Sequence, residues 1–225
     1  MANYAIDPKL LAPYLPYKTE LDLWNGTCYV SLVGFMFLET KIKGFKIPFH
    51  VNFEEVNLRF YVRYFDNGEW KRGTVFIKEI VPKYALSLVA NTIYKEHYET
   101  LPMQHQWALE NGQHIIEYRW KKQGIWNAIK VRTGVDLLKI REGSEGEFIT
   151  EHYWGYTRIN DHKTSEYGVE HPRWHVYETI DSSIDVDFGV NYGETFRFLN
   201  QEKPKSVFMA EGSEIVVKGG RIIYE

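Results

Sequence analysis

The sequence lacks the features that mark several classes of protein. Cys28 is its only cysteine, which excludes an intrachain disulfide framework and a cysteine-based zinc site. No run of about 18 apolar residues occurs, so no membrane-spanning helix is predicted. The opening MANYAIDPKL has no basic region followed by an apolar core, so no secretory signal is expected. We therefore expect a soluble cytoplasmic protein with no membrane partner.

Charge and common motifs exclude further classes. The formal net charge is -3, and lysines and arginines are spread without a basic patch, so no nucleic-acid partner is expected. Neither a serine nucleophile elbow nor a glycine-rich phosphate loop occurs. Repeats, low-complexity segments and proline-rich linkers are also missing. The only plausible seam is the polar segment 141–147, and both sides of it look equally β-rich. Residues 1–225 are therefore predicted to form a single domain.

What the sequence does contain favours strands. Aromatic residues make up 16% of the chain, and flat rings pack well on a pleated surface. Asn25-Gly26, Asn67-Gly68 and Asn111-Gly112 each separate strand-like segments and predict hairpin turns. The tail after residue 205 is predicted to form a closing pair of short strands. The longest helix is expected near residues 82–93, where Pro82 begins an apolar stripe. The fold class is mainly β, a barrel or sandwich with a few short helices.

One predicted strand, FEEVNLRFYVRY, carries a candidate site. Val56, Leu58, Phe60 and Val62 fall on one side, and Glu55, Asn57, Arg59, Tyr61 and Arg63 fall on the other. The ordinary interpretation is that the polar side faces solvent. The alternative is a polar-lined cavity in which an arginine holds a carboxylate, with Glu55 as a nearby acid or base.

Two further stretches carry titratable side chains. In EFITEHYWGYTR, interpreted as alternating strand, Glu151 lies among aromatics. Either a cation such as Arg59 or Arg158 pairs with it, or burial raises its pKa and makes it a general acid.

In VEHPRWHV, Pro172 argues against a helix, and on a strand His171 and His175 lie about 13 Å apart, too far to share a metal ion. No metal site is predicted.

Three segments, in this order, resemble the YqjF-like family of the acetoacetate decarboxylase-like superfamily: VNLRFYV (56–62), FITEHYWGYTR (148–158) and EHPRW (170–174). The matching positions are Asn57, Arg59, Tyr61, Thr150, Glu151, Tyr153, His171, Pro172 and Trp174. His152 stands where the family pattern has arginine, and Arg173 where it has proline. The resemblance implies a mainly antiparallel, cone-shaped barrel with a small polar cavity, and it favours the cavity interpretation of the arginine strand.

The resemblance also bears on catalysis. Acetoacetate decarboxylases form a Schiff base on an activated lysine. The family's corresponding stretch has tyrosine at that position, which aligns with Tyr98 here, while His97 replaces a proline. Lys95 is three residues early, and on an extended segment it would point away from Tyr98. The resemblance therefore implies that the Schiff-base lysine is missing and no acetoacetate decarboxylase activity is expected.

Three functions stay open. The first is a pocket for a small anionic or polar metabolite. The second is an enzyme that performs acid-base chemistry on a β-keto acid or related carbonyl compound without a covalent amine. The third is a structural or interaction protein with a vestigial cavity. No cofactor is expected, and a homo-oligomer is left open. The candidate pocket residues are Asn57, Arg59, Tyr61, His97, Tyr98, Glu151 and His171.

Overall fold

A computed structural model describes residues 1–39, 41–42, 45–46, 52–83 and 97–225. Most of these residues lie in strands, which confirms the mainly β prediction. The strands, numbered in chain order, are β1 (Ala2–Ala5), β2 (Thr19–Leu21), β3 (Tyr29–Phe37), β4 (Lys41–Ile42), β5 (Phe45–Lys46), β6 (Phe53–Asp66), β7 (Glu69–Val81), β8 (Tyr98–Thr100), β9 (Met103–Glu110), β10 (Gln113–Lys122), β11 (Ile125–Lys139), β12 (Trp154–Asn160), β13 (Lys163–Glu170), β14 (His175–Asp185), β15 (Ser206–Val207), β16 (Met209–Ala210), β17 (Val216–Val217) and β18 (Arg221–Ile223).

The helices in these ranges are short. They are α1 (Pro8–Leu11), α2 (Glu145–Thr150) and α3 (Phe188–Tyr192), with 3-10 turns at Ala12–Tyr14 and Glu194–Asn200. Asp7 caps α1 by accepting a hydrogen bond from the Lys9 amide, as its place before Pro8 suggests. The predicted helix at 82–93 lies, from residue 84 onward, outside the described residues. No helix among those described is long and apolar enough to cross a membrane.

Two sheets make up most of the described fold. The larger follows the order β15-β1-β3-β6-β7-β12-β13-β17, with β2 on β6, β8 on β7 and β18 on β13. The second sheet has the order β16-β14-β11-β10-β9. Most pairs are antiparallel, but β7 runs parallel to both β8 and β12. Within the described ranges neither path returns to its first strand, so barrel closure stays a prediction.

The Asn-Gly turns are confirmed. Asn67 and Gly68 have φ values of 49° and 91° where they join β6 to β7. The same pair of positive φ values occurs at Asn25-Gly26 and at Asn111-Gly112, which joins β9 to β10. A two-residue turn of this kind matches the right-handed twist of the strands, which is why the dipeptide is a reliable local signal.

Two local predictions are wrong. Residues 148–152 do not alternate as a strand, because α2 runs to Thr150 and β12 begins only at Trp154. Ser144 caps α2 through its hydroxyl, and the Glu147 carboxylate accepts from the Gly143 amide. The tail also differs: its short strands pair with β1, β13 and β14 and not with each other. They are too short to form a stable hairpin alone and extend existing strands.

The hydrophobic core lies between the two sheets and draws residues from Ala2 to Ile223. Leu58 and Phe60 of β6 and Trp120 of β10 are each 0% exposed. The sheets approach closely at Gly34, where an added Cβ would lie 2.7 Å from the Tyr118 ring. The other face of β6 is also buried, since Asn57 and Tyr61 are each 1% exposed. The central strand therefore has an apolar face on the core and a polar face that is shielded from solvent.

Candidate functional site

The buried polar face of β6 is continued by its neighbours. Residues directly opposite one another on paired strands point to the same face. Asn57 lies opposite Glu79 of β7, and Glu79 lies opposite Tyr98 of β8. The resulting set, called the polar cluster below, consists of Glu55, Asn57, Arg59, Tyr61, Glu79 and Tyr98. Four of the seven residues predicted from the sequence belong to it.

Glu55 is hydrogen-bonded to two other members of the polar cluster. Its carboxylate accepts from Asn57 Nδ2 at 2.9 Å and from the Tyr98 hydroxyl at 3.2 Å, and the residue is 1% exposed. Burial raises the pKa of Glu55 to about 7, against the hydrogen bonds from Asn57 and Tyr98 and the charge of Arg59. Burial and the charges of Glu55 and Glu79 raise the pKa of Tyr98 well above its usual value. The cluster therefore holds a carboxyl group that can gain or lose a proton near neutral pH.

Arg59 is half-buried, and among the described residues no carboxylate contacts it directly, although its charge acts on Glu55. Its Nε is buried without a hydrogen-bond partner among the described residues, and Nη2 contacts Met1 Sδ at 3.7 Å. The guanidinium carbon lies 5.8 Å from the centre of the Tyr61 ring. No ion pair of 4 Å or shorter involves Arg59 in the described ranges. A cation in this setting is costly unless an anion reaches it.

The predicted pair between Arg59 and Glu151 is wrong. Glu151 accepts hydrogen bonds from the Tyr153 hydroxyl and, at 3.3 Å, from Arg173 Nε. The physical reason is the helix that the strand interpretation missed. Glu151 follows α2 as its C-terminal cap, and the segment leading to β14 brings Arg173 beside it. The alternative cation, Arg158, instead pairs with Asp161.

His171 and His97 also lie outside the polar cluster. The His171 ring stacks between Tyr153 and Trp174, with centroid distances of 4.8 Å and 4.2 Å. The His97 side chain is exposed, while its backbone oxygen accepts from the Glu79 amide at 3.1 Å. Lys95, whose direction was predicted, lies outside the described residues. Tyr98 belongs to the polar cluster, but its neighbour His97 does not.

His152 lies beside the polar cluster and was missed from the sequence. Its ring centre is 4.6 Å from that of Tyr61, and its Nε2 is 3.3 Å from Asp22 Oδ2. Arg72 Nε donates to the same Asp22 oxygen at 2.6 Å. Burial lowers the pKa of His152 to about 4, although the bond to Asp22 acts in the other direction. Asp22 and Arg72 are distant in sequence, so no local pattern links them to His152.

A lysine pair lies on the opposite face of β7. Lys78 and Lys122 both contact the Glu99 carboxylate, at 3.0 Å and 2.7 Å. Lys78 Nζ also donates to the Asn191 carbonyl at 2.6 Å. The pKa of Lys78 is lowered from its usual value, chiefly by burial and also by Lys122, although the contact with Glu99 acts in the other direction. The Lys78 amine is engaged in the structure by the Glu99 carboxylate and by the Asn191 carbonyl.

The residues 1–214 match DUF2071, a family of uncharacterised conserved proteins. The chain belongs to the DUF2071 family. It is 22% identical over 212 residues to the uncharacterised protein YqjF of Bacillus subtilis strain 168, a match that covers 92% of this chain and 85% of YqjF. The resemblance to the YqjF-like family is thereby confirmed.

Solved structures support the fold of this DUF2071 member. An acetoacetate decarboxylase-like enzyme from Sphingomonas wittichii RW1 matches with a TM-score of 0.58 and 13% identity over 99% of this chain and 87% of its own. The enduracididine biosynthesis enzyme MppR, solved in complex with pyruvate, matches with a TM-score of 0.61 and 12% identity over 98% of this chain and 86% of its own. At these identities the likeness shows a shared fold.

Proposed function

We propose that this DUF2071 protein binds a small anionic or polar metabolite at Arg59, in the polar cluster, without forming a Schiff base. The observation that carries the proposal is the half-buried guanidinium whose Nε has no partner in the described part of the chain. A bound carboxylate would place a counter-charge in direct contact with the guanidinium and supply the hydrogen bond that Nε lacks, and arginine suits a planar carboxylate better than lysine does. The pyruvate complex of MppR, a protein of similar fold, supports a small carboxylate as the ligand class.

The wider architecture is part of the same proposal. We take residues 1–225 as a single domain, which the continuous core from Ala2 to Ile223 supports. The cone-shaped barrel and the cytoplasmic location follow from the resemblance and from the sequence. The partner we propose is a small molecule and not a nucleic acid.

The arginine can be tested with a conservative substitution. We expect Arg59→Lys to weaken binding of a short carboxylate about 10-fold or more, because an ammonium cannot reproduce the two-pronged contact. The measurement is the thermal shift of the purified protein against acetate, pyruvate, lactate, acetoacetate and 3-hydroxybutyrate. The matched control is Arg63→Lys on the same strand, whose arginine donates to surface Glu20 at 2.6 Å.

The outcomes separate the candidate functions. Binding by the wild type and by Arg63→Lys, but not by Arg59→Lys, supports the proposal. Equal binding by all three places the ligand elsewhere. If no carboxylate raises the melting temperature of the wild-type protein, the metabolite proposal fails and a vestigial cavity is favoured.

The proposed lack of Schiff-base chemistry has its own test. We expect the intact mass to stay unchanged after incubation with acetoacetate and borohydride. The phenol of Tyr98 cannot form an imine, and the Lys78 amine is already engaged by the Glu99 carboxylate at 3.0 Å and the Asn191 carbonyl at 2.6 Å. A stable adduct would contradict the proposal. A Lys95→Arg variant would then show whether Lys95 carries the adduct and rescues decarboxylase chemistry.

One observation favours acid-base catalysis as a second candidate. Glu55, with its pKa raised to about 7, is poised to exchange a proton near neutral pH, which a general acid or base requires. Glu55 and Arg59 share one face of β6, and the charge of Arg59 acts on the pKa of Glu55, so a ligand held by Arg59 would lie in the same polar cluster as a titrating group. The corresponding activity is proton transfer on a β-keto acid or related carbonyl compound, measured as ligand-dependent solvent hydrogen exchange and lost in Glu55→Gln.

A further inference from the structure

A second buried polar atom near Arg59 has no hydrogen-bond partner in the described part of the chain. His152 Nδ1 is buried and makes no hydrogen bond to any described residue, and the residue is 7% exposed. The His152 ring and the Arg59 guanidinium both lie within 6 Å of the Tyr61 ring, at 4.6 Å and 5.8 Å. Two unpaired buried polar atoms beside one aromatic ring are unusual, because such atoms are almost always satisfied in folded proteins. The charge of Arg59 also acts on the His152 ring, so the two groups lie near each other beside Tyr61.

The contacts of the His152 ring determine whether Nδ1 donates or accepts. Nε2 lies 3.3 Å from Asp22 Oδ2, which can only accept, and 3.4 Å from Arg72 Nη2, which can only donate. Arg72 already donates through Nε to the same Asp22 oxygen at 2.6 Å, and the shorter contact of Nε2 is to the carboxylate, so we assign the ring hydrogen to Nε2. The hydrogen bonds from His152 and Arg72 outweigh burial and hold the pKa of Asp22 below its usual value, so this carboxylate stays ionised. With the ring neutral at physiological pH, Nδ1 presents a lone pair. Nδ1 therefore accepts a hydrogen bond, whereas Arg59 Nε donates one.

We propose that His152 is a specificity-determining residue whose Nδ1 accepts a hydrogen bond from a ligand hydroxyl, so that the ligand is a short hydroxy-carboxylate. This inference rests on the proposed function, because Arg59 holds the carboxylate end of the same ligand. A matched oxo acid has no hydroxyl hydrogen and would leave the buried lone pair unpaired. A site built around a hydroxyl group rejects analogues that lack it for this reason.

The test compares matched ligands that differ only in the oxidation of one carbon. We expect the wild-type protein to bind lactate about 10-fold or more tightly than pyruvate, and 3-hydroxybutyrate more tightly than acetoacetate, by calorimetric titration. In His152→Gln the amide lies near the Nε2 position and keeps the Asp22 contact but loses the Nδ1 acceptor. We expect this variant to fold normally and to lose the preference for hydroxy acids.

A second variant separates ligand contact from support of the fold. His152→Asn places its amide near the Nδ1 position and loses the Asp22 contact, so we expect a lower melting temperature with the hydroxy-acid preference retained. If His152→Gln keeps the preference, or if the wild type binds the oxo acids equally or better, this inference is overturned while the proposed function stands. If the wild type binds neither kind of acid, both are overturned.

Discussion

Trp120→Ala is expected to lower the free energy of unfolding by about 3–5 kcal/mol, the usual range for a fully buried tryptophan. The Trp120 side chain is 0% exposed between the two sheets, and its Nε1 donates to Asn191 Oδ1 at 2.7 Å. Truncation would leave a cavity and would also remove a partner from Asn191, which is itself 0% exposed. Urea denaturation followed by circular dichroism measures the loss.

The matched control is Trp70→Ala, at an exposed position. Trp70 is 47% exposed, and its ring lies 4.2 Å from the Arg63 guanidinium. Its loss is expected to cost about 1 kcal/mol or less, the usual value of an exposed cation–π contact. Equal costs for the two tryptophans would contradict the packing of the second sheet on the larger one.

Glu55→Gln is expected to change how stability depends on pH. The wild-type carboxyl has a pKa of about 7 in the folded protein and a usual value of 4.5. The folded state therefore binds the proton more tightly, so the contribution of Glu55 is fully present below pH 4.5 and is lost as the pH rises through about 7. Glutamine does not titrate, so this loss is absent in the variant.

The expected change in unfolding free energy is large for one titrating carboxyl group. Between about pH 5 and about pH 8, the unfolding free energy of Glu55→Gln should rise relative to wild type by roughly 2–3 kcal/mol. The control is Glu69→Gln, at an exposed position in β7. Parallel pH curves for wild type and Glu55→Gln would show that Glu55 does not hold its proton in the folded protein.

The parts of the fold that sequence could predict are those with local causes. Asn67 adopts a positive φ because the two-residue turn after β6 requires it, and the dipeptide Asn-Gly announces that requirement. The start of α2 has an equally local signal in the sequence. Ser144 and Glu147 have the spacing of a capping box: the Ser144 hydroxyl accepts from the Glu147 amide as that motif requires, while the Glu147 carboxylate accepts from the Gly143 amide, one residue before the cap.

The candidate site was predictable only in part. Alternation along β6 placed Asn57 and Arg59 on one face, and the structure brings both to the polar cluster. The same alternation placed Glu55 on that face, but its burial could not be predicted because it depends on strands that are distant in sequence. The grouping of Asp22 with His152 arises from contacts between residues 130 positions apart, which no spacing rule reports. The predicted pairing of Glu151 with Arg59 was wrong for the opposite reason, since the actual partner, Arg173, is closer to Glu151 in sequence than Arg59 is.

The most direct test of the proposed function is a crystal structure of the wild-type protein soaked with 3-hydroxybutyrate. We expect the carboxylate to lie within hydrogen-bond distance of Arg59 Nε, above the Tyr61 ring, with no covalent bond to a lysine. A ligand bound away from Arg59, or joined to a lysine side chain, would contradict the proposal.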